Sequence, residues 1–254
     1  MLTAITRAVS PAINRCEIGF IDRQEIDLAN ANEQHRQYEL LLADLGAKVV
    51  SLPAEPDYPD SVFVEDPAVV VDEIAIMTRM GAASRRGESE SLAQALSAFR
   101  PLRRLREPAT LEGGDVMRIG RTLYVGLSQR TTRAGIQQLT DELEPLGYSV
   151  VPVEVRGALH LKTACCWLGD DSILANRAWL DADQFARFRI VDVAPGEERG
   201  ANVLMVGDSV VVPASFPRTA EKLAHAGINV RLLDVSELMK AEAGVTCCSL
   251  LFEA

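Results

Sequence analysis

The sequence contains neither a long apolar run nor an excess of positive charge. Nowhere do about 18 uncharged apolar residues follow one another, and the first residues hold no apolar stretch of signal-peptide length, so we expect neither a membrane-spanning helix nor secretion. The 26 Lys and Arg are outnumbered by 36 Asp and Glu, and the net charge of −10 disfavours contact with phosphate backbones and anionic lipids. We therefore expect no nucleic acid and no membrane among its partners, whereas a small cationic ligand would be attracted.

The sequence also lacks a disulfide framework. It has 5 cysteines, an odd count, and four of them stand in the adjacent pairs Cys165-Cys166 and Cys247-Cys248, which is poor geometry for disulfides. Reduced thiols are typical of the cytoplasm, so we expect a cytoplasmic protein. No linker rich in Pro, Gly or Ser divides the 254 residues, a length compatible with one large domain or two small ones.

A repeated pattern is present in the second half of the chain. Residues 113–131 and 200–219 both contain a glycine, Asp or Asn, an apolar run, a glycine-centred turn, a second apolar run, a serine and Arg-Thr. Gly120-Arg121 and Gly207-Asp208 stand where a hairpin would turn, so each copy predicts two joined strands. Each copy is followed by helical apolar spacing, a glycine and a third short strand.

The signal for the third strand occurs five times along the chain. These strands are predicted at residues 46–50, 102–105, 148–151, 188–191 and 228–230. Their spacing of roughly 40 to 50 residues is typical of propellers and repeat arrays. Five units of strand, strand, helix and strand predict a closed α/β ring, in which the first polar residue of each unit faces a central channel.

The polar residues at these predicted strand starts indicate catalysis. They comprise acids, one histidine and one cysteine: Glu65-Asp66, Glu112 with Asp115, His160 with Lys162, Asn202 and Cys247. A cysteine nucleophile, a histidine base and a carboxylate that orients the histidine together form covalent intermediates in many enzymes. The remaining carboxylates would bind a cationic substrate.

His160 also has a simpler interpretation, as a strand histidine that bonds a backbone carbonyl. In Leu159-His160-Leu161-Lys162, however, alternation predicts a strand with the leucines on one face and the polar pair on the other. A zinc site that includes Cys165 and Cys166 is disfavoured, because adjacent cysteines on a strand point to opposite faces. We predict a functional His160, and we place the two cysteines in the core.

Cys247 could be a small buried apolar residue, as free cysteines often are. Residues 245–252 predict a strand in which Cys248 shares a face with Leu250 and Phe252, and Cys247 shares the other with Ser249. We therefore predict that Cys247 is the nucleophile and that Cys248 is buried.

Arg85 and Arg130 lie near the predicted strand starts. Either could be a solvated loop residue. A guanidinium nevertheless presents two donors that match the two oxygens of a carboxylate, so both arginines are candidates for binding a substrate carboxylate.

Several blocks of this sequence together resemble the dimethylarginine dimethylaminohydrolase family. They occur in the order and spacing of the family across almost the whole chain, at residues 60–67 (DSVFVEDP), 81–86 (GAASRR), 111–115 (LEGGD), 159–162 (LHLK) and 246–249 (TCCS). Several matched blocks are stronger evidence than one short pattern. The resemblance implies the pentein fold, a five-bladed α/β propeller of ββαβ repeats with pseudo-five-fold symmetry, as a single domain over residues 1–254.

The resemblance further implies hydrolysis of Nω-methylated L-arginine to L-citrulline and a methylated amine through a covalent S-alkylthiouronium. Cys247 is then the nucleophile, His160 the proton donor and later the base, and Glu112 the acidic partner of His160. The implied substrate-binding residues are Ile18, Asp60, Glu65, Asp66, Arg85, Arg130 and Ala241, with Asp66 facing the guanidinium. No metal or organic cofactor is implied, and a homodimer is expected by resemblance.

Two rival functions remain open at this point. One is an arginine deiminase or a hydrolase of another substituted arginine, although deiminases usually carry a helical insertion for which 254 residues leave little room. The other is a pentein that only binds, which does not need a cysteine and histidine pair with acids. Residues 241–244 (AEAG) and 199–202 (RGAN) depart from the family pattern. We expect the loop around residues 18–27 to be the lid of the site.

Overall fold

The computed structural model describes all residues, 1–254, as fifteen strands and six α-helices. The strands are β1 (Leu2–Arg7), β2 (Lys48–Leu52), β3 (Ala68–Val70), β4 (Ala75–Met77), β5 (Leu102–Arg104), β6 (Val116–Ile119), β7 (Thr122–Leu127), β8 (Ser149–Glu154), β9 (Cys165–Trp167), β10 (Ser172–Ala175), β11 (Arg189–Asp192), β12 (Leu204–Val206), β13 (Ser209–Pro213), β14 (Asn229–Leu233) and β15 (Leu250–Glu253). The helices are α1 (Leu28–Asp44), α2 (Ser89–Leu96), α3 (Arg133–Leu143), α4 (Leu161–Ala164), α5 (Pro217–His225) and α6 (Ser236–Met239).

The strands form five sheets of three strands each, in the orders β15-β1-β2, β3-β4-β5, β6-β7-β8, β9-β10-β11 and β12-β13-β14. In every sheet the first two strands are antiparallel and the last two are parallel. A tight turn joins an antiparallel pair, whereas a parallel strand needs a longer crossover. The five predicted third strands are β2, β5, β8, β11 and β14, so the predicted repeat is confirmed.

The predicted hairpin turns are also confirmed. Gly120 joins β6 to β7 and Gly207 joins β12 to β13, and both adopt a φ of +60°. Glycine is favoured at these positions because other residues rarely adopt left-handed backbone conformations.

The crossover helices cover the sheets with apolar side chains. In α3, Ile136, Leu139 and Leu143 are buried at helical spacing and share a core cluster with Leu123 and Val125 of β7. The crossover from β10 to β11 differs, since it contains only a 3-10 turn at Ala182–Phe185. The fourth sheet therefore departs from the ββαβ repeat.

Both ends of the chain contribute to one sheet, which closes the ring. β15 pairs antiparallel with β1, with Leu2 opposite Glu253 and Ile5 opposite Leu250. Residues of the five first strands (β15, β3, β6, β9 and β12) line a common cavity on the axis, and several neighbouring first strands contact each other. No helix of the ring combines the length and the apolar character that crossing a lipid bilayer requires.

One predicted strand proves to be a helix. His160 precedes α4 instead of lying on a strand, and Leu161 and Ala164 are buried one turn apart. The N–H of Leu161 donates to Asp115 Oδ1 at 2.9 Å, so a contact with a distant segment stabilises the start of this helix. Four residues of alternating polarity do not distinguish a strand from a single helical turn.

The strand predicted at residues 245–252 begins later than expected. Residues 245–248 form turns, and β15 starts only at Leu250. The hydroxyl of Tyr38 donates to Val245 O at 2.8 Å and lies 2.6 Å from Ser249 Oγ. Ser249 therefore faces α1 and does not share a face with Cys247, while the prediction that Cys248 is buried is confirmed.

Candidate active site

Segments that precede the first strands surround a cleft at one end of the ring axis. Residues predicted for the site that line this cleft are Asp60, Asp66, Arg85, Arg130, His160, Ala241 and Cys247. They come from four of the five sheets and their connections, so closure of the ring brings them together. Glu112 lies behind His160, and neither Ile18 nor Glu65 lines the cleft.

A larger cavity of about 240 Å³ lies on the same axis and contains no predicted catalytic residue. Glu65, Lys162 and Thr246 are among the residues that line it. The next residue after each of these along the chain, namely Asp66, Thr163 and Cys247, lines the cleft instead. Glu65 forms a buried ion pair with Lys162, and Thr246 Oγ1 donates to Glu65 Oε2 at 2.8 Å. Both oxygens of Glu65 thus bond to protein groups, and its role as a substrate-binding residue stays a prediction.

His160 is buried among carboxylates. Its Nε2 lies 2.7 Å from Glu112 Oε2, and no protein group bonds Nδ1. Burial alone would lower the pKa of His160, but the charges of Asp66, Glu112 and Asp115 raise the pKa to about 9. The imidazole is therefore protonated at neutral pH.

Glu112 is the charged partner of His160. Burial would raise the pKa of Glu112, but the hydrogen bond and the charge of His160 hold that pKa well below its usual range. The other oxygen, Oε1, accepts from the N–H of Gly81 at 3.0 Å and from Arg130 Nη1 at 3.3 Å. These contacts hold the carboxylate in one orientation, which in turn orients the imidazole.

Gly114 allows His160 and Asp66 to lie close to the backbone. A Cβ at Gly114 would stand 2.6 Å from His160 Nδ1 and 2.8 Å from Asp66 Oδ1. The N–H of Gly114 donates to Asp66 Oδ1 at 3.1 Å. The second glycine of Glu112-Gly113-Gly114-Asp115 is thus required by close approach, and the motif joins two predicted site residues.

Cys247 lies in the turn before β15 and is partly buried. Its Sγ accepts from the N–H of Gly244 at 3.3 Å. Burial, together with the charges of Glu65 and Asp66, raises the pKa of Cys247 to about 12. The thiol is therefore protonated in the free protein, and a cation bound beside Asp66 would favour the thiolate.

The two predicted carboxylate-binding arginines have different surroundings. Arg85 is buried, with Nη1 2.7 Å from Asp66 Oδ2 and with Nε and Nη2 bonded to Glu88 at 3.1 and 2.9 Å. Arg130 uses only Nη1, which bonds Glu112. Both line the cleft, but Arg130 retains more free donors for a substrate carboxylate.

The segment that contains Ile18 lies beside the cleft. Glu17 lines the cleft, and its N–H donates to both oxygens of Asp60 at 3.2 Å. Ile18 itself is partly buried and packs against the core. Glu17 was not predicted as a site residue, because no pattern in the sequence distinguishes it from a surface acid.

Glu242 is a further cleft residue that the sequence analysis did not assign. Its carboxylate accepts from the N–H of Gly19 at 2.9 Å and from the N–H of Phe20, so it ties the predicted lid loop to the segment before Cys247. Its φ is +60°, a conformation uncommon for residues other than glycine. The sequence signal near Glu242 was the departure from the family pattern at residues 241–244. That departure marked the segment as unusual but did not indicate this contact.

Asp66, Glu112 and His160 are also the residues best placed to hold a metal ion. Each offers one ligand atom, and these atoms lie within 4.8 Å of one another. Arg85 pairs with Asp66, and His160 pairs directly with Glu112. A metal ion would have to displace these contacts, and the prediction that none is required stays a prediction.

Fold and site together define a pentein, an α/β propeller of five three-stranded sheets with cysteine, histidine and carboxylates around an axial cleft. The family model described as "N,N dimethylarginine dimethylhydrolase, eukaryotic" matches residues 6–191. The chain belongs to the dimethylarginine dimethylaminohydrolase family.

Two relatives with the family name are similar to almost the whole chain. The N(G),N(G)-dimethylarginine dimethylaminohydrolase of Pseudomonas aeruginosa is 39% identical over 228 residues, 89% of this chain and 90% of the relative. That of Streptomyces coelicolor is 40% identical over 249 residues, 97% of this chain and 95% of the relative. The predicted resemblance is confirmed.

Solved structures confirm the predicted fold. A cysteine-to-serine variant of the Pseudomonas aeruginosa enzyme complexed with citrulline matches with a TM-score of 0.94 and 35% identity, covering 99% of this chain and 100% of the other. A histidine-to-glycine variant of a dimethylarginine dimethylaminohydrolase, an adduct with S-methyl-L-thiocitrulline, matches with a TM-score of 0.95 and 36% identity, with the same coverage.

Proposed function

We propose that this protein hydrolyses Nω-methylated L-arginine, either asymmetric dimethylarginine or monomethylarginine, to L-citrulline and dimethylamine or methylamine. The observation that carries the proposal is that Cys247 and His160, the latter bonded to Glu112 behind it, line one acidic cleft. Family membership supports this substrate class, since the Pseudomonas aeruginosa relative has been solved with citrulline. Cys247, His160 and Glu112 are the proposed catalytic residues, and no cofactor takes part.

The first half of the reaction begins with the substrate cation. A guanidinium carries a delocalised charge that makes its central carbon a poor electrophile, and the free thiol of Cys247 has a raised pKa of about 12. Binding the cation beside Asp66 places a positive charge next to that thiol, whose proton passes to solvent because His160 is already protonated. The thiolate then attacks the central carbon and forms a tetrahedral adduct.

His160 transfers a proton in each half of the reaction. The imidazolium keeps Nε2 on Glu112, which leaves the Nδ1 proton for the methylated nitrogen as its bond to carbon breaks. The amine departs and a thiouronium remains on Cys247. Neutral His160 then takes a proton from water, the hydroxide adds to the same carbon, and the carbon–sulfur bond breaks to give citrulline and the cysteine.

The proposed binding roles follow from position and charge. Asp66 binds the guanidinium, and Asp60 adds negative charge nearby. Arg130, with free donors, binds the carboxylate of the amino-acid end, and Arg85 supports Asp66 as well as that carboxylate. Ala241 lines the cleft and contacts the substrate through the backbone. The backbone contact of Ile18, which does not line the cleft, rests on the family resemblance alone, and Glu65 adds negative charge behind Cys247.

A comparison of substrates tests the proposed function. Arginine, monomethylarginine and asymmetric dimethylarginine are supplied separately, and citrulline and the released amine are measured. We expect kcat/KM to be at least about 10-fold higher for a methylated substrate, because a methyl group that fits the pocket adds roughly 1 to 3 kcal/mol. Equal or higher kcat/KM with arginine would assign the protein to arginine hydrolysis, and no citrulline from any of them would refute the proposal.

The rate should also depend on the protonation of His160. Because the pKa of His160 is raised to about 9, the imidazolium is present at neutral pH and is lost as the pH rises through 9. We expect kcat to fall at alkaline pH with a midpoint at or below 9, because the bound cation offsets part of the charge of Asp66, and we expect Glu112→Gln to move the fall to still lower pH because it removes one charge that raises this pKa. The measurement is the profile of kcat against pH for the native protein and for Glu112→Gln. If the alkaline fall in kcat occurred at the same pH in both proteins, that fall would be assigned to a group other than His160.

We further propose that residues 1–254 form a single domain, an arrangement supported by the sheet that contains both chain ends. A cytoplasmic location is supported by the five free cysteines. The homodimer stays a prediction, which sedimentation of the purified protein would test.

A further inference from the structure

Asn202, two residues before β12, connects the fifth sheet to the segment that carries Cys247. Its Nδ2 donates to Thr246 Oγ1 and to Lys162 O, both at 3.0 Å, and its Oδ1 accepts from the N–H of Thr246 at 3.1 Å. The residue is buried, and both amide protons are used. Asn202 thus holds both the backbone and the side chain of the residue adjacent to the proposed nucleophile.

Gly244 completes this arrangement. Its N–H donates to Cys247 Sγ at 3.3 Å. A Cβ at Gly244 would stand 2.1 Å from Asn202 Oδ1, so the amide group of Asn202 packs directly against the backbone of this glycine. Gly244 is not among the glycines with positive φ, and close approach is therefore what requires glycine here.

We infer that Asn202 is a positioning residue for the nucleophile, which holds Thr246 and packs against Gly244 so that the Gly244 N–H stays directed at Cys247 Sγ. The inference rests on the proposed function, because it concerns the same thiol. An N–H donor stabilises a thiolate more than a thiol, so loss of this alignment should make the thiolate harder to form. Asn202 would act through its neighbours, without touching the substrate.

The test compares Asn202→Ala with the native protein. Alkylation of Cys247 by iodoacetamide is followed from pH 7 to 10.5 by peptide mass spectrometry, and kcat and KM are measured with asymmetric dimethylarginine. We expect kcat to fall about 10- to 100-fold, the range for a misplaced reacting group, with KM within about 3-fold. Alkylation should be slower by a constant factor across this range, because the whole range lies below the pKa of Cys247 and a higher pKa lowers the thiolate fraction equally at each pH.

Asn176→Ala is the matched control. Asn176 is similarly buried, its Nδ2 donates to Glu198 O at 3.1 Å, and its Oδ1 accepts from the N–H of Ala178 at 3.1 Å. Its removal should lower the melting temperature about as much as the loss of Asn202, since it deletes similar contacts. Alkylation of Cys247 and kcat should stay within about 2-fold of the native values, because these contacts do not reach Cys247.

Gly244→Ala is a second way to disturb the alignment of the residue 244 N–H with Cys247 Sγ, since the added Cβ would push against Asn202. It should reproduce the slower alkylation and the lower kcat even if Asn202→Ala does not fold. Native alkylation profiles and native kcat in the folded variants would overturn the inference while leaving the proposed function intact. If the native protein formed no citrulline but alkylation was still slower in the variants, the proposed function would be refuted and the positioning role of Asn202 would stand.

Discussion

Replacing Cys247 with serine should lower citrulline formation by about 10⁴-fold or more while the protein remains folded. A serine hydroxyl has a much higher pKa than a thiol, and removing a nucleophile that forms the covalent intermediate removes the whole covalent route. The measurement is kcat with asymmetric dimethylarginine, beside a thermal unfolding curve. Near-native citrulline formation by the serine variant would exclude Cys247 as the nucleophile.

Cys248→Ala is the matched control for this experiment. Cys248 is adjacent in sequence but buried in the core cluster that also contains Val245. Its replacement by alanine should lower the free energy of unfolding by about 1 kcal/mol and leave kcat within about 3-fold. A comparable loss of kcat in both variants would mean that disturbance of the turn, and not loss of the nucleophile, explains the effect.

Replacing His160 with glycine should lower kcat by about 10² to 10⁴-fold, because both halves of the reaction need its proton transfers. The two halves can be separated with S-methyl-L-thiocitrulline, whose thiolate leaving group departs without a proton. We expect His160→Gly to react once with this compound and then to stop, since no base activates water. Mass spectrometry of the intact protein should show one adduct, and peptide analysis should place it on Cys247.

Two variants control the experiment on His160. His225→Ala removes an exposed histidine on α5 and should leave turnover unchanged. His160→Gly combined with Cys247→Ser should form no adduct. An adduct that is hydrolysed at the native rate in His160→Gly would assign the activation of water to another group, and Asp66 would then be the nearest candidate.

Most of the fold was predictable from the chain because it depends on short-range patterns. The strands around Gly120 and Gly207 follow from apolar runs on either side of a glycine-centred turn, and the third strands follow from a glycine after a helical pattern. The period of the repeat then implied a ring. The fourth sheet was predicted only in outline, because its crossover contains a 3-10 turn in place of an α-helix.

Local conformation at the site was harder to predict. His160 lies at the start of a helix because Asp115 accepts from the N–H of Leu161, and residues 245–248 turn where Tyr38 bonds the backbone. Both contacts join segments far apart in sequence. Alternation of polarity over four or five residues carries no information about such partners, so both segments were predicted as strands.

By itself, the sequence determined the number of units, the order of their strands along the chain and which polar residues lie in the segments that precede the first strands, since these properties are set by the periodicity of apolar residues. Only the tertiary structure decided how those residues are paired. Arg85 bonds Glu88 and Asp66, Glu242 bonds the backbone of Gly19, and Asn202 bonds Thr246. Several of these partners lie 19 to 223 positions apart, and their distances depend on how five sheets pack to close one ring.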